Sequence, residues 1–329
     1  MSDTRAEWMG RYEGEVARIF AEASGGLPAL PASLTGLAAA LLEKFNPVSS
    51  NGRGADGGTN YICFLLPLWL KEQTGCGDEL CRDLAIGNVY AMLHFFLLDD
   101  AMDAAAAAGV GETRRSLALG QMFYEGFRRR YERHFPTGSS LWQRYGAYLT
   151  DWAAAVSEEG ERLAEPGDPA ALARKSAPVK LCAAGLLLLS GQTDRLRQTE
   201  EAVDLVLATL QLSDDWADWR EDLAEDGEKR NAFLTLVRRT LPPAAEQPLD
   251  ERAVNQAVYR NGCLRDLARI ARDHHAALTK LPNVPRALLS FHEEIVIGLE
   301  RDARGAAELE EKLALEGGLS VLLSNLAKK

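Results

Sequence analysis

Three carboxylates close an apolar run early in the chain. The segment FFLLDDAMD places Asp99, Asp100 and Asp103 directly after four large apolar residues. If this segment is helical, Asp99 and Asp103 lie one turn apart on the same face, with Asp100 beside them. Like charges at this spacing destabilise a helix, and the cost rises where water is excluded. Carboxylate oxygens at this density are ligands that suit Mg²⁺, which would relieve the repulsion.

A second carboxylate cluster follows about 115 residues later, in the segment QLSDDWADWREDLAEDGEKR. Asp214, Asp218 and Asp222 stand four residues apart and form one stripe along a helix. Asp215 and Glu221 lie off this stripe, where the pattern predicts solvated side chains. Two helices of this kind can face each other in a bundle and hold a metal cluster over an apolar cavity. The alternative is two solvated acidic helix ends, since charge runs usually face water.

The rest of the chain predicts the elements that would position these carboxylates. Apolar residues recur with helical spacing almost throughout, and breakers rich in glycine and proline separate the segments. The predicted fold class is all-α, a single large helical bundle over residues 1–329 with a central active-site cavity. The helices are expected near residues 4–23, 32–45, 59–74, 77–107, 111–134, 138–164, 169–191, 197–226, 229–240, 250–280, 284–302 and 305–327.

Composition and charge exclude several classes of function. The 329 residues are 47% hydrophobic and 26% charged, with a formal charge of −11, which disfavours nucleic acid or an anionic membrane as a partner. No apolar run is long enough for an integral membrane segment, and the polar start MSDTRAEWMGRYEGE is unlike a signal peptide. The five cysteines are scattered without a CxxC pair, so free thiols and a cytoplasmic location are expected. The five histidines lack ligand spacing, and His94 is interpreted as a hydrogen-bonded core residue.

Both acidic segments resemble motifs of one superfamily. Asp99-Asp100-Ala-Met-Asp103 resembles the DDxxD motif of the class I isoprenoid synthases, which include trans-prenyltransferases and terpene cyclases. The segment QLSDDWAD at 211–218 is similar to the second aspartate-rich motif of the prenyltransferase branch. The resemblance covers about residues 50–235 and implies a helical fold that binds a prenyl diphosphate through three Mg²⁺ ions, often as a homodimer. The implied metal ligands are Asp99, Asp100, Asp103, Asp214, Asp218 and Asp222.

Basic residues between and after the acidic motifs complete the resemblance. The segment ARKSAPVKLCAAG at 173–185, with Arg174 and Lys175, resembles the basic helix that contacts diphosphate in these enzymes. Lys229 and Arg230 resemble the basic stretch that closes over the diphosphate after the second motif. The implied chemistry is ionisation, in which these side chains and the metal stabilise the departing diphosphate. The implied catalytic residues are Asp99, Asp103, Arg174 and Lys175.

The branch of the superfamily depends on whether a second diphosphate has a site. Chain-elongating prenyl synthases carry a GGKxxRP-type segment, and the corresponding residues 57–60 read GGTN, without its Lys and Arg. Arg53 lies nearby, and the arginines expected soon after the first motif are displaced to Arg114 and Arg115. The sequence therefore supplies basic residues for one diphosphate but lacks those expected at a second diphosphate site. This favours a terpene synthase (cyclase), a lyase acting on one linear prenyl diphosphate.

Three alternatives remain open. A trans-prenyl diphosphate synthase would elongate an allylic partner with isopentenyl diphosphate, whereas squalene and phytoene synthases share the DxxxD spacing but also use two diphosphates. The third alternative is a non-catalytic partner subunit of the same fold. The sequence also departs from typical cyclases, because Asp168 stands where a diphosphate-sensing Arg is expected. Arg301 and Arg304 are candidates to replace the usual late Arg-Tyr pair.

The apolar cavity implied by the resemblance needs aromatic walls, because ring faces stabilise an allylic cation. Phe95 and Phe96, just before the first motif, are the first candidates. In elongating relatives, bulk at this position limits the length of the product, and Phe95 would have that effect here. Plain core packing is the alternative for every one of these aromatic residues. The further candidates for the cavity wall are Tyr90, Trp69, Trp152 and Phe291.

Overall fold

The computed structural model describes residues 7–27, 29–49, 60–103, 110–225, 227–241 and 248–315, apart from the side chains of residues 103, 110 and 313–315. Every regular element in these ranges is a helix, which confirms the predicted all-α class. The α-helices are α1 (Glu13–Gly26), α2 (Ala32–Lys44), α3 (Tyr61–Thr74), α4 (Asp78–Asp103), α5 (Val110–Glu132), α6 (Ser140–Ser157), α7 (Pro169–Ala173), α8 (Leu181–Leu189), α9 (Leu196–Ala224), α10 (Ala232–Thr240), α11 (Glu251–Tyr259), α12 (Cys263–Leu278) and α13 (Arg286–Leu315). Short 3-10 turns lie at Gly10–Tyr12, Arg174–Lys180, Thr193–Arg195 and Gly227–Lys229.

Helix ends near the C-terminus differ from the prediction in both directions. The single helix expected at 250–280 is two helices, α11 and α12, because Gly262 between them adopts a φ of +72°, which side chains disfavour. The two helices expected at 284–302 and 305–327 form one helix, α13, as far as Leu315. Gly305 lies inside α13 and does not end it, since an isolated glycine only weakens a helix. Residues beyond 315 lie outside the described part.

The basic segment between the two acidic motifs is also not the continuous helix predicted at 169–191. Helix α7 is five residues long, and Arg174–Lys180 continues as a 3-10 turn that contains Pro178. Proline lacks the N–H that an α-helix needs and crowds the preceding turn. Helix α6 likewise ends at Ser157 instead of reaching 164, so residues 158–168 form a connecting loop.

The chain divides into two compact units, each assembled from separate stretches of sequence. The first unit comprises residues 1–151, 176–201 and 283–290, and the second comprises residues 152–175, 202–282 and 291–329. In the first unit, α4 packs along α5, and α3 packs against α4 and α8. In the second unit, α10 packs against α11 and α12. The prediction of one domain over the whole chain stays a prediction.

An apolar face anchors α9 in the core of the second unit. Trp219 is only 2% exposed and lies in one cluster with Leu212 of the same helix and with Phe233 and Val237 of α10. Truncating a buried aromatic residue of this kind costs about 3–5 kcal/mol. The burial of Trp219 therefore fixes the rotation of α9 and, with it, the direction in which the acidic stripe points.

Two further predictions concern the cysteines and the membrane. The five cysteines are free thiols, as their spacing predicted, and four of them are buried. Burial raises the pKa of the Cys182 thiol to about 12, so this thiol stays protonated and unreactive. None of the helices in the described ranges is long and apolar enough to cross a membrane.

Candidate functional site

The first acidic motif ends the long helix α4 of the first unit. The helix is packed where it precedes the motif, because Tyr90 and Leu93 are fully buried and Leu97 is 3% exposed. Asp99 is half-buried and Asp100 is exposed. The backbone of Asp103 closes the helix, and its side chain lies outside the described residues. The sequence therefore predicted correctly that the carboxylates follow a core helix.

The stripe of the second motif lies on α9, in the second unit. Asp214 and Asp222 are half-buried and Asp218 is exposed. Burial, followed by the charges of Asp218 and Asp215, raises the pKa of Asp214 to about 7. A carboxyl group that is desolvated and crowded by other carboxylates is stabilised in its charged form by a nearby cation. The donor chemistry of the stripe therefore fits a divalent metal ion.

The stripe is not a closed metal cage. Within the described residues no three His, Cys, Asp or Glu side chains converge as a ready-made metal site. Magnesium is commonly held by one or two protein carboxylates together with waters and substrate phosphates. An open row of carboxylates fits that mode of binding, in which the substrate completes the coordination. The joint binding of three ions by both acidic motifs stays a prediction.

Asp215 is buried, so the expectation that it is solvated is wrong. Its side chain is 5% exposed and accepts two hydrogen bonds of 2.7 Å, from Nε2 of Gln211 and from the backbone N–H of Ala232. Burial raises the pKa of Asp215 to about 7, and these two hydrogen bonds and the charge of Lys175 oppose that rise. Asp215 thus fastens the first turn of α10 to α9 and leaves the stripe to the other three aspartates.

Asn231 also connects α9 and α10. Its Oδ1 accepts a hydrogen bond of 2.8 Å from the backbone N–H of Leu234, which caps the start of α10. Its Nδ2 donates to Oδ2 of Asp222 at 2.6 Å and to the backbone oxygen of Asp215 at 2.8 Å. Sequence reasoning named Lys229 and Arg230 beside it but missed Asn231. The Asn followed by an apolar run is a helix-start signal that could have indicated it.

A pocket of about 450 Å³ in the second unit collects the basic residues that the resemblance selected. All four of them, Arg174, Lys175, Lys229 and Arg230, line it. Arg162 and Gln211 line it as well. Gln211 donates to Asp215, so the pocket wall is continuous with the second acidic motif. The pocket lining contains none of the three stripe aspartates.

Two basic side chains of the pocket are partly neutralised by neighbouring acids. Lys175 Nζ lies 2.7 Å from Oε1 of Glu159, and an Arg230 nitrogen lies 3.7 Å from Glu225. A backbone hydrogen bond of 2.8 Å from the N–H of Ala164 to the oxygen of Lys229 joins the loop at 158–168 to the basic turn. An anion that entered the pocket would compete with Glu159 for Lys175.

Three basic or acidic positions have roles that the sequence did not indicate. Arg162 comes from the loop at 158–168, which the sequence predicted as part of a helix, so its place in the pocket was missed. Asp168, at the expected position of a sensor arginine, caps α7 by accepting a 3.0 Å hydrogen bond from the N–H of Ala171. Arg304 lines a different groove, between α12 and α13, which shares no lining residue with the basic pocket.

The proposed cavity aromatics occupy different environments. In the first unit Tyr90 is fully buried and donates to the oxygen of Ala23 at 2.6 Å, whereas Trp69 is 2% exposed and donates to the oxygen of Trp8 at 2.9 Å. Both are core residues of that unit. Their place in a cavity wall stays a prediction. The half-buried aromatic candidates are Phe95 and Phe96 in the first unit and Trp152 in the second.

The histidines confirm one interpretation and add a cluster. His94 Nδ1 lies 2.9 Å from the backbone oxygen of Gly120, and burial lowers its pKa, so it is the hydrogen-bonded residue expected from the sequence. In the second unit the Thr209 hydroxyl lies 3.0 Å from Nδ1 of His274 and 2.8 Å from Nε2 of His292. His292 Nδ1 lies 2.9 Å from Nδ1 of His275. This network is internal to the core of the second unit.

Comparison with known proteins assigns no function to this site. No protein-family model matches the chain, and no curated protein sequence matches it. The resemblance to the isoprenoid synthases therefore rests on the residues of the motifs. The structure adds one observation to these motifs, which is the pocket of the second unit that Arg174, Lys175, Lys229 and Arg230 line.

Proposed function

We propose that the chain is a class I terpene synthase, a cyclase that ionises one linear prenyl diphosphate and cyclises the allylic cation, with release of diphosphate. The observation that supports this function best is the pocket of the second unit. There five basic side chains surround a space of about 450 Å³, and Gln211 of its wall donates a hydrogen bond to Asp215 of the second acidic motif. Cations and carboxylates placed side by side suit a diphosphate that binds together with a metal ion.

The basic residues would bind the diphosphate and take up its developing charge. Arg174 and Lys175 come from the 3-10 turn after α7, whereas Lys229 and Arg230 come from the turn after α9, so the two pairs belong to separate segments that line one pocket. When heterolysis of the C–O bond leaves one further negative charge on the diphosphate oxygens, fixed cations stabilise that state more than the ground state. Bound Mg²⁺ would supply Lewis-acid stabilisation of the same leaving group.

The acidic residues would hold the metal in the proposed enzyme. Asp214, Asp218 and Asp222 present carboxylates along one face of α9, and Asp99, Asp100 and Asp103 are the proposed ligands from the first motif. Asp215 has another task in this scheme, since its carboxylate is occupied by Gln211 and Ala232. The aromatic candidates Phe95 and Phe96 would shield the cation from water, which otherwise captures it.

The experiment that tests this function offers one substrate at a time. Purified protein with Mg²⁺ is incubated with geranyl, farnesyl or geranylgeranyl diphosphate, and the organic extract is analysed for hydrocarbon and alcohol products. Asp218→Asn should abolish most of the activity. The matched control is Asp266→Asn, which changes another exposed aspartate of the second unit outside the acidic stripe and the pocket and should retain it.

Three results would overturn the proposal or its cyclisation step. A longer prenyl diphosphate formed from isopentenyl diphosphate plus an allylic partner would make the chain a trans-prenyl diphosphate synthase. Failure to turn over any of the substrates, together with no binding of inorganic pyrophosphate and Mn²⁺, would favour a non-catalytic subunit. Predominant formation of free prenyl alcohol by wild type but not by Asp218→Asn would retain the ionisation step and overturn cyclisation.

A further inference from the structure

Asn231 is completely buried and uses both ends of its amide. The Oδ1 atom accepts from the N–H of Leu234, and the two protons of Nδ2 point at two oxygens, Oδ2 of Asp222 and the backbone oxygen of Asp215. The orientation of the amide is fixed by its neighbours, because exchanging its two ends would place a donor against a donor and an acceptor against two acceptors. Asparagine is therefore required here for a donor as well as for a cap.

The turn between Asp222 and Asn231 is closed by tight backbone packing. A Cβ on Gly227 would lie 2.7 Å from the backbone oxygen of Asp222, so a side chain at this position would collide with the end of α9. The N–H of Arg230 donates to the oxygen of Gly227 at 2.9 Å. The basic pair, Lys229 and Arg230, is thus carried on a short turn whose start lies on the backbone of Asp222 and whose end is bonded to its side chain.

A proposed metal ligand and a proposed diphosphate-binding pair are therefore linked through one residue. Asn231 bonds the Asp222 carboxylate at 2.6 Å and directly follows Lys229 and Arg230 in the chain. The hydrogen bond engages Oδ2 of Asp222 and restricts the rotation of the carboxylate. Removal of a residue that hydrogen-bonds a metal ligand typically weakens metal affinity by about 10- to 100-fold.

We propose that Asn231 is a positioning residue that sets the Asp222 carboxylate and the Lys229–Arg230 pair in one fixed relation, so that a divalent cation and a diphosphate bind as a pair. This inference rests on the proposed function of the same site. It predicts coupling: the cation should bind more tightly with pyrophosphate present, and the gain should depend on Asn231. Without Asn231 the two groups would each persist, but they would lose their common support.

The competing explanation is that Asn231 only caps α10. Serine and aspartate are also good N-cap residues, so both Asn231→Ser and Asn231→Asp retain the cap. Neither supplies the amide donor to Asp222, and the aspartate adds a second carboxylate within reach of it. Capping and positioning are therefore separable by these two substitutions, and Asn231→Ser serves as the milder variant if Asn231→Asp folds poorly.

The test measures Mn²⁺ affinity by titration calorimetry, with and without inorganic pyrophosphate, on the full chain. Asn231→Ser should weaken Mn²⁺ binding in the presence of pyrophosphate about tenfold, and Asn231→Asp should weaken it further. The control is Asp250→Ser, which replaces the residue that caps α11 through a 2.7 Å hydrogen bond to the N–H of Ala253. This control should leave Mn²⁺ affinity unchanged, whatever its effect on the melting temperature.

The outcomes separate this inference from the proposed function. If wild type binds Mn²⁺ and pyrophosphate together and Asp222→Asn weakens that binding, but Asn231→Ser binds as wild type does, then the positioning role is wrong and the site survives. If wild type binds neither probe, the proposed function itself fails. An equal loss of affinity in Asn231→Ser and in Asp250→Ser would identify general destabilisation as the cause and would overturn the positioning role.

Discussion

The carboxylate of Asp215 accepts a hydrogen bond of 2.7 Å from the backbone N–H of Ala232, the first residue of α10. One aspartate of an acidic motif is thereby turned into the core, while its neighbour Asp214 remains on the stripe. Negative charge at a helix start is favourable, because the first N–H groups of a helix lack partners and the helix dipole is positive there. The motif thus contains structural and proposed metal-binding carboxylates side by side.

We expect the two roles to separate on substitution. Asp215→Ala should lower the free energy of unfolding by about 1–3 kcal/mol, because it leaves the buried N–H of Ala232 without an acceptor. Asp215→Asn should recover most of this loss, because its oxygen can accept from Ala232 and the Gln211 amide can turn to accept from its nitrogen. Urea unfolding in the presence of EDTA measures both.

The partner experiment is Asp218→Asn, at an exposed position of the stripe. The free energy of unfolding of this variant should stay within about 0.5 kcal/mol of wild type, since exposed substitutions are usually mild. Its Mn²⁺ affinity should fall. A stable Asp215→Ala variant, or an Asp218→Asn variant as unstable as Asp215→Ala, would show that the roles are assigned the wrong way round.

The sequence could predict the stripe but not the buried position of Asp215 in the same motif. Spacing of four residues places Asp214, Asp218 and Asp222 on one helix face, and that is a local property of α9. The burial of Asp215 depends on α10, a separate helix whose N–H groups need an acceptor, and no local pattern of α9 contains that information. Tertiary contacts decide such cases. The same reason explains why Arg162 was missed, since its loop was assigned to a helix.

Helix type was easier to predict than helix ends. Apolar periodicity identified α4 and α9, the two helices that carry the acidic motifs, because each has long buried faces. The end of α6 at Ser157 and the break at Gly262 depend on tertiary packing and on a backbone with positive φ. These two errors have different consequences. The first conceals the loop that lines the basic pocket, whereas the second changes only the count of helices.

Glu159 should act as an internal competitor in the basic pocket. It lies 2.7 Å from Lys175 and has the charge of the ligand proposed to replace it. We expect Glu159→Gln to tighten the binding of inorganic pyrophosphate about two- to fivefold, since half-exposed ion pairs are worth up to about 1 kcal/mol. Titration calorimetry at two salt concentrations measures the effect, which should shrink at the higher one. Glu251→Gln is the control, because Glu251 pairs with Arg220 and neither residue lines the pocket. Equal gains in both variants would indicate a general loss of negative charge.

Gly227 should tolerate no side chain. In Gly227→Ala the new Cβ would meet the backbone oxygen of Asp222 at 2.7 Å, so the turn that carries Lys229 and Arg230 must shift. We expect a loss of about 1–3 kcal/mol in the free energy of unfolding, together with weaker pyrophosphate binding.

The control is Gly36→Ala in α2, where nothing lies within 4 Å of the new Cβ. That change should stabilise the protein by about 0.5–1 kcal/mol, because alanine is the better helix former. Unaltered stability and binding in Gly227→Ala would contradict the tight closure of this turn.

Stability should depend on pH through His292, which is fully buried. Burial, followed by the charges of His275, His274 and Arg272, lowers its pKa to about 3, whereas an unfolded histidine titrates near 6.5. Between these values the unfolded chain binds a proton that the folded chain does not, so stability is complete above pH 6.5 and falls as the pH drops. The slope from this one group is at most about 1.4 kcal/mol per pH unit.

Urea unfolding of wild type and of His292→Gln between pH 5 and pH 8, both with EDTA, isolates that contribution. The variant should be less stable at pH 8 because it loses the contact with Thr209, and its profile should be flatter below pH 6.5. Parallel profiles would mean that His292 gains its proton as easily in the folded chain as in the unfolded one.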